Sequence, residues 1–239
     1  MIATIMGVAG LWKPAVQVRT LTQVATVEGF ESQRRGSCTL FIGVDASILL
    51  NRAQYAAYHQ KGGLNMQAGE NLPLQILFWQ ICRMLALPVT PVYVFEGNKG
   101  PLYKRGREVK TTPHALTNSF QELLTSVGFH FYVAPGEAEA ELAELSKSGK
   151  IDAVMTEDVD AFLFGATHVF RIPNISKDGD LVSIYTLDTI QSSLSLSTSK
   201  MVLIAILSGG DYDTEGLSGC GIDTALKLNQ NTSPAEDLY

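Results

Sequence analysis

An α/β fold, with a mostly parallel central sheet flanked by helices, is what this sequence predicts. Short apolar runs alternate with longer amphipathic ones along most of the chain, the pattern of strands each followed by a covering helix. The composition agrees: 46% of the 239 residues are hydrophobic and 18% charged, enough to bury a substantial core and too apolar for a disordered chain.

In chain order, residues 39–44 read as a buried strand and 47–59 as the helix after it. Residues 73–87 are apolar nearly all round, which predicts a largely buried helix, and 91–95 form the next strand. A helix over 113–127 follows from Leu116, Phe120, Leu123, Leu124 and Val127, whose i, i+4, i+7, i+8, i+11 spacing lines one face, and Gly128 supplies its stop. The rhythm repeats as strand 129–133, helix 136–148 ended by Gly149, strand 151–156 and short helix 159–164. Residues 167–172 and 181–185 flank Lys177-Asp178-Gly179-Asp180, whose Asp-Gly pair marks a hairpin-type reversal. Residues 198–207 form a last helix before a glycine-dense stretch, and the polar residues 229–239 read as a frayed or truncated end.

The charge balance at first argues against a nucleic-acid partner. There are 24 Asp and Glu against 18 Lys and Arg, a net of −6, whereas phosphate backbones are usually met by a surplus of cations. Cys38, Cys82 and Cys220 are far apart and odd in number, which excludes a disulfide framework and a paired-cysteine zinc site and fits a reducing compartment. No stretch reaches the roughly 18 uninterrupted apolar residues of a membrane span, so a soluble protein is expected. Residues 1–12 are apolar like a short signal segment but lack its basic start and cleavage site.

Acids collect where the expected strands end. Asp45 closes the first strand, Glu96 the 91–95 strand, Glu137 and Glu139 follow 129–133, Asp158 and Asp160 follow 151–156, and Asp211 sits just after the last helix. Parallel strands place such ends side by side, where ligand sites of α/β sheets form. A cluster of acids repels itself unless a cation sits within it, and an all-oxygen donor set without His or Cys suits Mg²⁺ or Mn²⁺ rather than Zn²⁺. A single Asp at a strand end is more simply the N-cap of the next helix, so Asp45 and Asp158 each allow either role. Glu137 and Glu139 would point about 200° apart on a regular helix, and share a site only if the first turn is irregular or one of them acts through water. Independent capping does not explain all seven acids together.

Cations are uneven too. Lys99, Lys104, Arg105, Arg107 and Lys110 follow directly on Glu96, five of the chain's 18. By themselves they describe a solvated loop equally well; beside an acidic metal site they would hold a scissile phosphate against the metals.

These residues match a known pattern. Met6-Gly7-Val8-Ala9-Gly10-Leu11-Trp12, VDAS at 44–47, VFEG at 94–97, PGEAEAE at 135–141, TEDVDAFLFGA at 156–166 and GGDY at 209–212 resemble, in order, the motifs of the XPG/flap-endonuclease family of structure-specific DNA nucleases. GLSGCGIDTALKL at 216–228 is similar to that family's helix-two-turn-helix. The resemblance implies a PIN-like nuclease core over residues 6–207, with an N-terminal part 6–110 and an internal part 129–207, followed at 208–239 by the start of the helix-two-turn-helix and a truncated tail. It implies that Asp45, Glu96, Glu137, Glu139, Asp158, Asp160 and Asp211 hold two Mg²⁺ ions, for which Mn²⁺ can substitute, and that water attacks a phosphodiester in line. Lys104 and Arg107 would contact the scissile phosphate, Gly7 would lie near the active site and DNA, and Lys99, Lys104, Arg105, Lys110, Gly216, Gly219 and Gly221 would bind DNA, the glycines by close approach of their backbone.

Glu96, where flap endonucleases usually carry Asp, and the brief 97–113 connection without a helical arch resemble the Holliday-junction resolvase branch. The implied protein is a nuclear endonuclease of DNA repair and recombination that cuts four-way junctions or 5′ flaps, with dimerisation on a four-way junction. Against the family's pattern, five residues precede Met6, the segment between Trp12 and Pro14 is a few residues short, and the chain stops soon after the helix-two-turn-helix begins. The alternatives are a flap endonuclease proper, a non-catalytic DNA-binding or scaffold protein that retains the fold, and an unrelated Mg²⁺ enzyme whose Asp158-Val159-Asp160 holds a nucleotide sugar. Setting the seven implied ligands aside leaves 17 acids against 18 bases, a net of +1, so the apparent acidity is largely that of the metal site. So thin a surplus predicts weak, salt-sensitive DNA binding.

Overall fold

The computed structural model describes residues 16–33, 36–60, 71–104, 106–109, 112–171 and 179–231. The chain runs β1 (Gln17–Thr20), α1 (Leu21–Val24) widening into a π-turned stretch at Ala25–Glu31, β2 (Leu40–Asp45), α2 (Ala46–Gln60), α3 (Leu72–Leu85), β3 (Val89–Phe95), a small hairpin β4 (Tyr103–Lys104) and β5 (Arg107–Glu108), then α4 (Thr117–Ser126). It continues with β6 (His130–Val133), α5 (Ala138–Lys147), β7 (Ala153–Met155), α6 (Asp160–Leu163), β8 (His168–Arg171), β9 (Leu181–Thr186), α7 (Leu187–Leu194), α8 (Thr198–Ser208) and α9 (Ile222–Asn231).

The main sheet has seven strands in the order β1-β9-β8-β7-β2-β3-β6. The run from β8 to β6 is parallel throughout, while β9 and β1 add an antiparallel edge. The mostly parallel sheet anticipated from the sequence is therefore present, and where 167–172 and 181–185 were expected, residues 168–171 and 183–186 pair antiparallel; Ile172, Lys177 and Asp178 lie outside the described residues.

Alternation along the strands builds two cores. Ile42, Val44, Tyr93 and Phe95 face Leu50, Leu77, Ile81, Phe120 and Leu124 of α2, α3 and α4, whereas Val94, Val154 and Val169 face Leu142, Phe162, Met201 and Ile204 of α5, α6 and α8. A sheet covered on both faces needs apolar residues at successive positions, which is why β2 and β3 read as continuous apolar runs. Each fully buried Leu or Phe here contributes roughly 1.5–3 kcal/mol.

The boundaries differ from expectation in a few places. Helix α4 begins at Thr117 rather than at 113, because Leu116 N–H donates to His114 Nδ1 at 3.2 Å and Thr117 N–H to the His114 carbonyl at 2.9 Å, closing a turn before the helix. Helix α9 continues to Asn231, three residues into the stretch expected to fray. Strand β1, α1, the hairpin and α7 were not anticipated. Among the described residues no single helix is long and apolar enough to cross a membrane. Functionally, the topology matters because β7, β2, β3 and β6 are adjacent and parallel, so their carboxyl ends share one rim.

Candidate metal centre

Asp45 is the last residue of β2, and its side chain takes the capping role while one oxygen of the carboxylate remains outside the cap. Its Oδ1 caps α2, accepting from Ser47 N–H at 2.9 Å and Ile48 N–H at 3.2 Å, while the residue is buried at the rim. Asp158 behaves likewise: its Oδ1 accepts from Asp160 N–H at 3.0 Å, and its own N–H donates to Thr156 Oγ1 at 3.1 Å, which folds the turn between β7 and α6. The geometric objection to Glu137 and Glu139 is resolved by where the helix starts. Glu137 is the N-cap of α5 with extended backbone (φ −74°, ψ 137°), so it is not on the helix, and Glu139 in the first turn reaches the same place.

The loop after β3 is tied to the loop after β6. Gly97 N–H donates to the Gly136 carbonyl at 2.7 Å and Lys99 N–H to the Pro135 carbonyl at 2.9 Å. A Cβ on Gly97 would lie 1.9 Å from the Ala134 carbonyl oxygen, so only glycine allows this approach. The tie brings Glu96, exposed at the rim, alongside the half-buried Glu137.

Asp211 enters from the turn after α8. Carboxylate oxygens of Asp158, Asp160 and Asp211 all lie within 4.8 Å of one another, and all three residues are buried. Lys104, on the hairpin, joins this group to the glutamates: its Nζ is 2.9 Å from Glu137 Oε1, 3.4 Å from Asp211 Oδ2 and 3.7 Å from Glu139 Oε1. Tyr212 donates its hydroxyl to the other Glu137 oxygen, and its ring centroid is 5.7 Å from the Lys104 ammonium.

The electrostatics follow from this crowding. Burial, with Glu96 and Asp158 adding to it against the two backbone N–H groups, pushes the Asp45 carboxyl up to about 7. Burial and the neighbouring Asp158, Asp45 and Glu137 push Glu139 up to about 9, although Lys104 opposes this. Burial works against the charge of Lys104, but Glu139 and Glu137 outweigh it and keep the ammonium protonated. Crowding thus makes two of the rim carboxyls hold their protons well above the ordinary carboxylate range. Glu139 Oε2 is buried with no hydrogen-bond partner among the described residues. An all-oxygen set with such an oxygen in it fits a hard divalent cation.

Family models decide what this geometry belongs to. The XPG N-terminal domain matches residues 6–115 and the XPG I-region residues 128–211. The chain belongs to the XPG/flap-endonuclease family. It is similar to the flap endonuclease GEN of Drosophila melanogaster, 31% identical over an alignment of 199 positions that covers 69% of this chain and 27% of that protein. Flap endonuclease 1 of Drosophila yakuba is 28% identical over an alignment covering 98% of this chain and 67% of the relative. Among solved structures, the Holliday junction-resolving enzyme GEN1 in complex with product DNA and a Mg²⁺ ion superposes with a TM-score of 0.75 at 29% identity, over 94% of this chain and 51% of that one. The catalytic core of Rad2 in complex with DNA substrate gives 0.68 at 28%, over 89% and 62%. The chain therefore spans about a quarter of the GEN flap endonuclease and half of the GEN1 structure.

As an XPG-family chain it carries the seven sequence-derived acids at one rim, with Lys104 among them. Of the other sequence-derived site residues, Lys99 is exposed on the loop after Glu96, and Arg107 pairs with Lys104 across the hairpin through its backbone. Gly7, Arg105 and Lys110 lie outside the described residues. Gly219 (φ +77°) and Gly221 have open space where a Cβ would stand, as backbone contact with a phosphate requires. Gly216 (φ +56°) differs: a Cβ there would lie 2.5 Å from Gly209 N, so this glycine packs against its own chain. Tyr212 and Glu157 were not singled out from the sequence. Tyr212 directly follows Asp211 in the GGDY motif, and Glu157 stands inside TEDVD, so adjacency to an acid was the available signal.

Proposed function

We propose that the chain is a Mg²⁺-dependent, structure-specific DNA endonuclease of the nucleus that hydrolyses phosphodiesters at branched DNA in repair and recombination. The observation that carries this is the convergence of seven carboxylates on one rim, five of them buried, with Asp45 and Glu139 pushed above their ordinary values by burial and by neighbouring acids. Asp45, Glu96, Glu137, Glu139, Asp158, Asp160 and Asp211 would hold two divalent cations. When bound, such ions lower the pKa of the attacking water and offset charge on the leaving oxygen.

The rest of the chemistry belongs to the protein. Tyr212 and Lys104 between them fix both oxygens of Glu137. Lys104 and Arg107 are paired residues of a short hairpin and would contact the scissile phosphate, and the exposed backbone at Gly219 and Gly221 would grip the duplex beyond the cut. The similarity to GEN1 with product DNA and Mg²⁺ supports the substrate class. Glu96 and the two-stranded hairpin in place of an arch favour a junction over a flap; on a four-way junction two copies would act together.

The test is cleavage by purified protein in Mg²⁺ of labelled four-way-junction, 5′-flap and splayed-arm DNA. Nicks near the branch point, lost in Asp45→Asn and Asp158→Asn, are expected. Junction binding in Ca²⁺ with no cleavage in Mg²⁺ or Mn²⁺ would favour a non-catalytic DNA-binding protein, and fully active variants would sink the metal assignment.

A further inference from the structure

Glu157 is an acid at the same rim that turns away from the metal problem. It stands between Thr156, whose N–H donates to the Phe170 carbonyl of β8 at 3.1 Å, and Asp158. Each of its oxygens meets a different guanidinium: Oε1 is 3.1 Å from Arg52 NH1 and Oε2 is 2.9 Å from Arg171 NH2. Arg52 lies on α2, the helix capped by Asp45, seven residues further along and so nearly on the same face. Arg171 closes β8, the parallel neighbour of β7. The three side chains therefore staple the turn that carries Asp158 and Asp160 to two separate elements of the rim.

We infer that Glu157, gripped by Arg52 and Arg171, is a positioning residue that fixes the orientation of Asp158 and Asp160 toward the cation they would hold. This rests on the metal-centre reading above. Three features separate the clamp from an ordinary surface ion pair. It uses both oxygens of one carboxylate, which leaves that side chain a single orientation. It acts on the residue directly before a candidate ligand whose pose depends on the turn's backbone, since Asp160 N–H donates to Asp158 Oδ1. It also neutralises an acid that would otherwise add to the repulsion already felt at Asp45 and Glu139. Its side chains are 28 to 40% exposed, where ion pairs add little to global stability, so the benefit of keeping them lies in geometry.

The test measures Mn²⁺ binding without DNA, by electron paramagnetic resonance, alongside thermal melting without metal and steady-state cleavage. In Glu157→Ala, Arg52→Ala and Arg171→Ala, Mn²⁺ affinity and kcat are expected to fall about tenfold or more, as for other groups that orient metal ligands. KM for DNA should stay within about twofold and the metal-free melting temperature within about 2–4 °C. Arg171→Lys should recover part of the loss, because it returns the charge without the fork. Should Glu157→Ala fold poorly, Glu157→Gln keeps the shape, loses the charge and is expected to show the same loss of affinity. Wild-type Mn²⁺ affinity in these variants would overturn the clamp alone. So would a raised KM with intact kcat, which would mean that the arginines hold DNA directly. A wild-type chain that bound no Mn²⁺ would sink both this inference and the nuclease reading.

Discussion

Asp180, just before β9, and Glu139 at the acidic rim are both carboxylates held by the fold, and their surroundings could hardly differ more. Asp180 accepts from Thr22 N–H at 3.1 Å and Thr22 Oγ1 at 2.6 Å, while Arg83 approaches at 2.6 Å. Partial burial pushes its carboxyl up, but the hydrogen bonds from Thr22 and Arg83 outweigh that and hold it below the usual carboxylate range. Glu139 has Lys104 at 3.7 Å, an oxygen with no hydrogen-bond partner among the described residues, and a carboxyl pushed well above the usual range. A carboxylate supplied with donors by its own chain joins parts of the fold together. One left short of them keeps a proton or takes up an external cation.

The most severe way to break the comparison is to remove a rim acid. Asp158→Asn should lower cleavage about a thousandfold or more, since a bound metal supplies several kcal/mol of transition-state stabilisation, while leaving the metal-free fold at least as stable. Single-turnover cleavage and calorimetry check the two halves.

A second test uses pH. The folded carboxyls of Asp45 and Glu139 lie at about 7 and about 9, above their ordinary values of 3.8 and 4.5, so the native state binds more protons than the unfolded one across that interval. Without metal, stability is expected to be fully present below about pH 4 and to fall as pH rises toward 9. Saturating Mg²⁺ opposes the loss, so its upward shift of the melting temperature should be larger at pH 8 than at pH 6. Equal shifts at the two values would show that these acids do not meet the ion.

For Asp180 the sign reverses: its contribution is present above the unfolded carboxylate pKa and is lost as pH falls through the lower folded value. Asp180→Ala should cost about 1 kcal/mol, allowing for its partly exposed position, with cleavage unchanged; chemical denaturation at pH 7 and at pH 3 measures it. The smallest effect expected is at exposed Lys99. Its replacement by Ala should weaken junction binding evenly across sequences and reduce the slope of log affinity against log salt by about one, as read from fluorescence anisotropy.

The parallel core and the rim were legible in the sequence because both rest on local rules. Apolar runs doubly buried in the sheet, such as 39–44, have no polar alternation to confuse them, and acids at strand ends need only chain order to be placed. What escaped depends on contacts far apart in sequence. Strand β1, Gln17–Thr20, has three polar residues out of four and becomes a strand only because β9 offers it an open edge. Lys104 was placed beside a phosphate by its motif, but its seat among Glu137, Glu139 and Asp211 depends on a hairpin of two-residue strands that carries almost no periodicity. The Glu137 and Glu139 spacing looked discordant because helical phase was counted from a residue that proves to be the cap. The Arg52 and Arg171 contacts with Glu157 span 105 and 14 residues, and no pattern of residue types announces them.

Asp211 differs in mounting from the other six acids. They stand at strand ends, in the turns directly beyond or in the first turns of the helices that follow, whereas Asp211 is carried by the turn at the end of α8, where Gly209 and Gly216 pack backbone to backbone. Metal–ligand distances tolerate only about 0.2 Å, so a shift of α8 by a few tenths of an ångström is enough to detune the whole centre. The far side of that glycine turn leads into α9 and the stretch proposed to hold the duplex. The last carboxylate and the glycine turn that leads into α9 are therefore carried by one continuous stretch of backbone, outside the sheet that carries the rest of the rim.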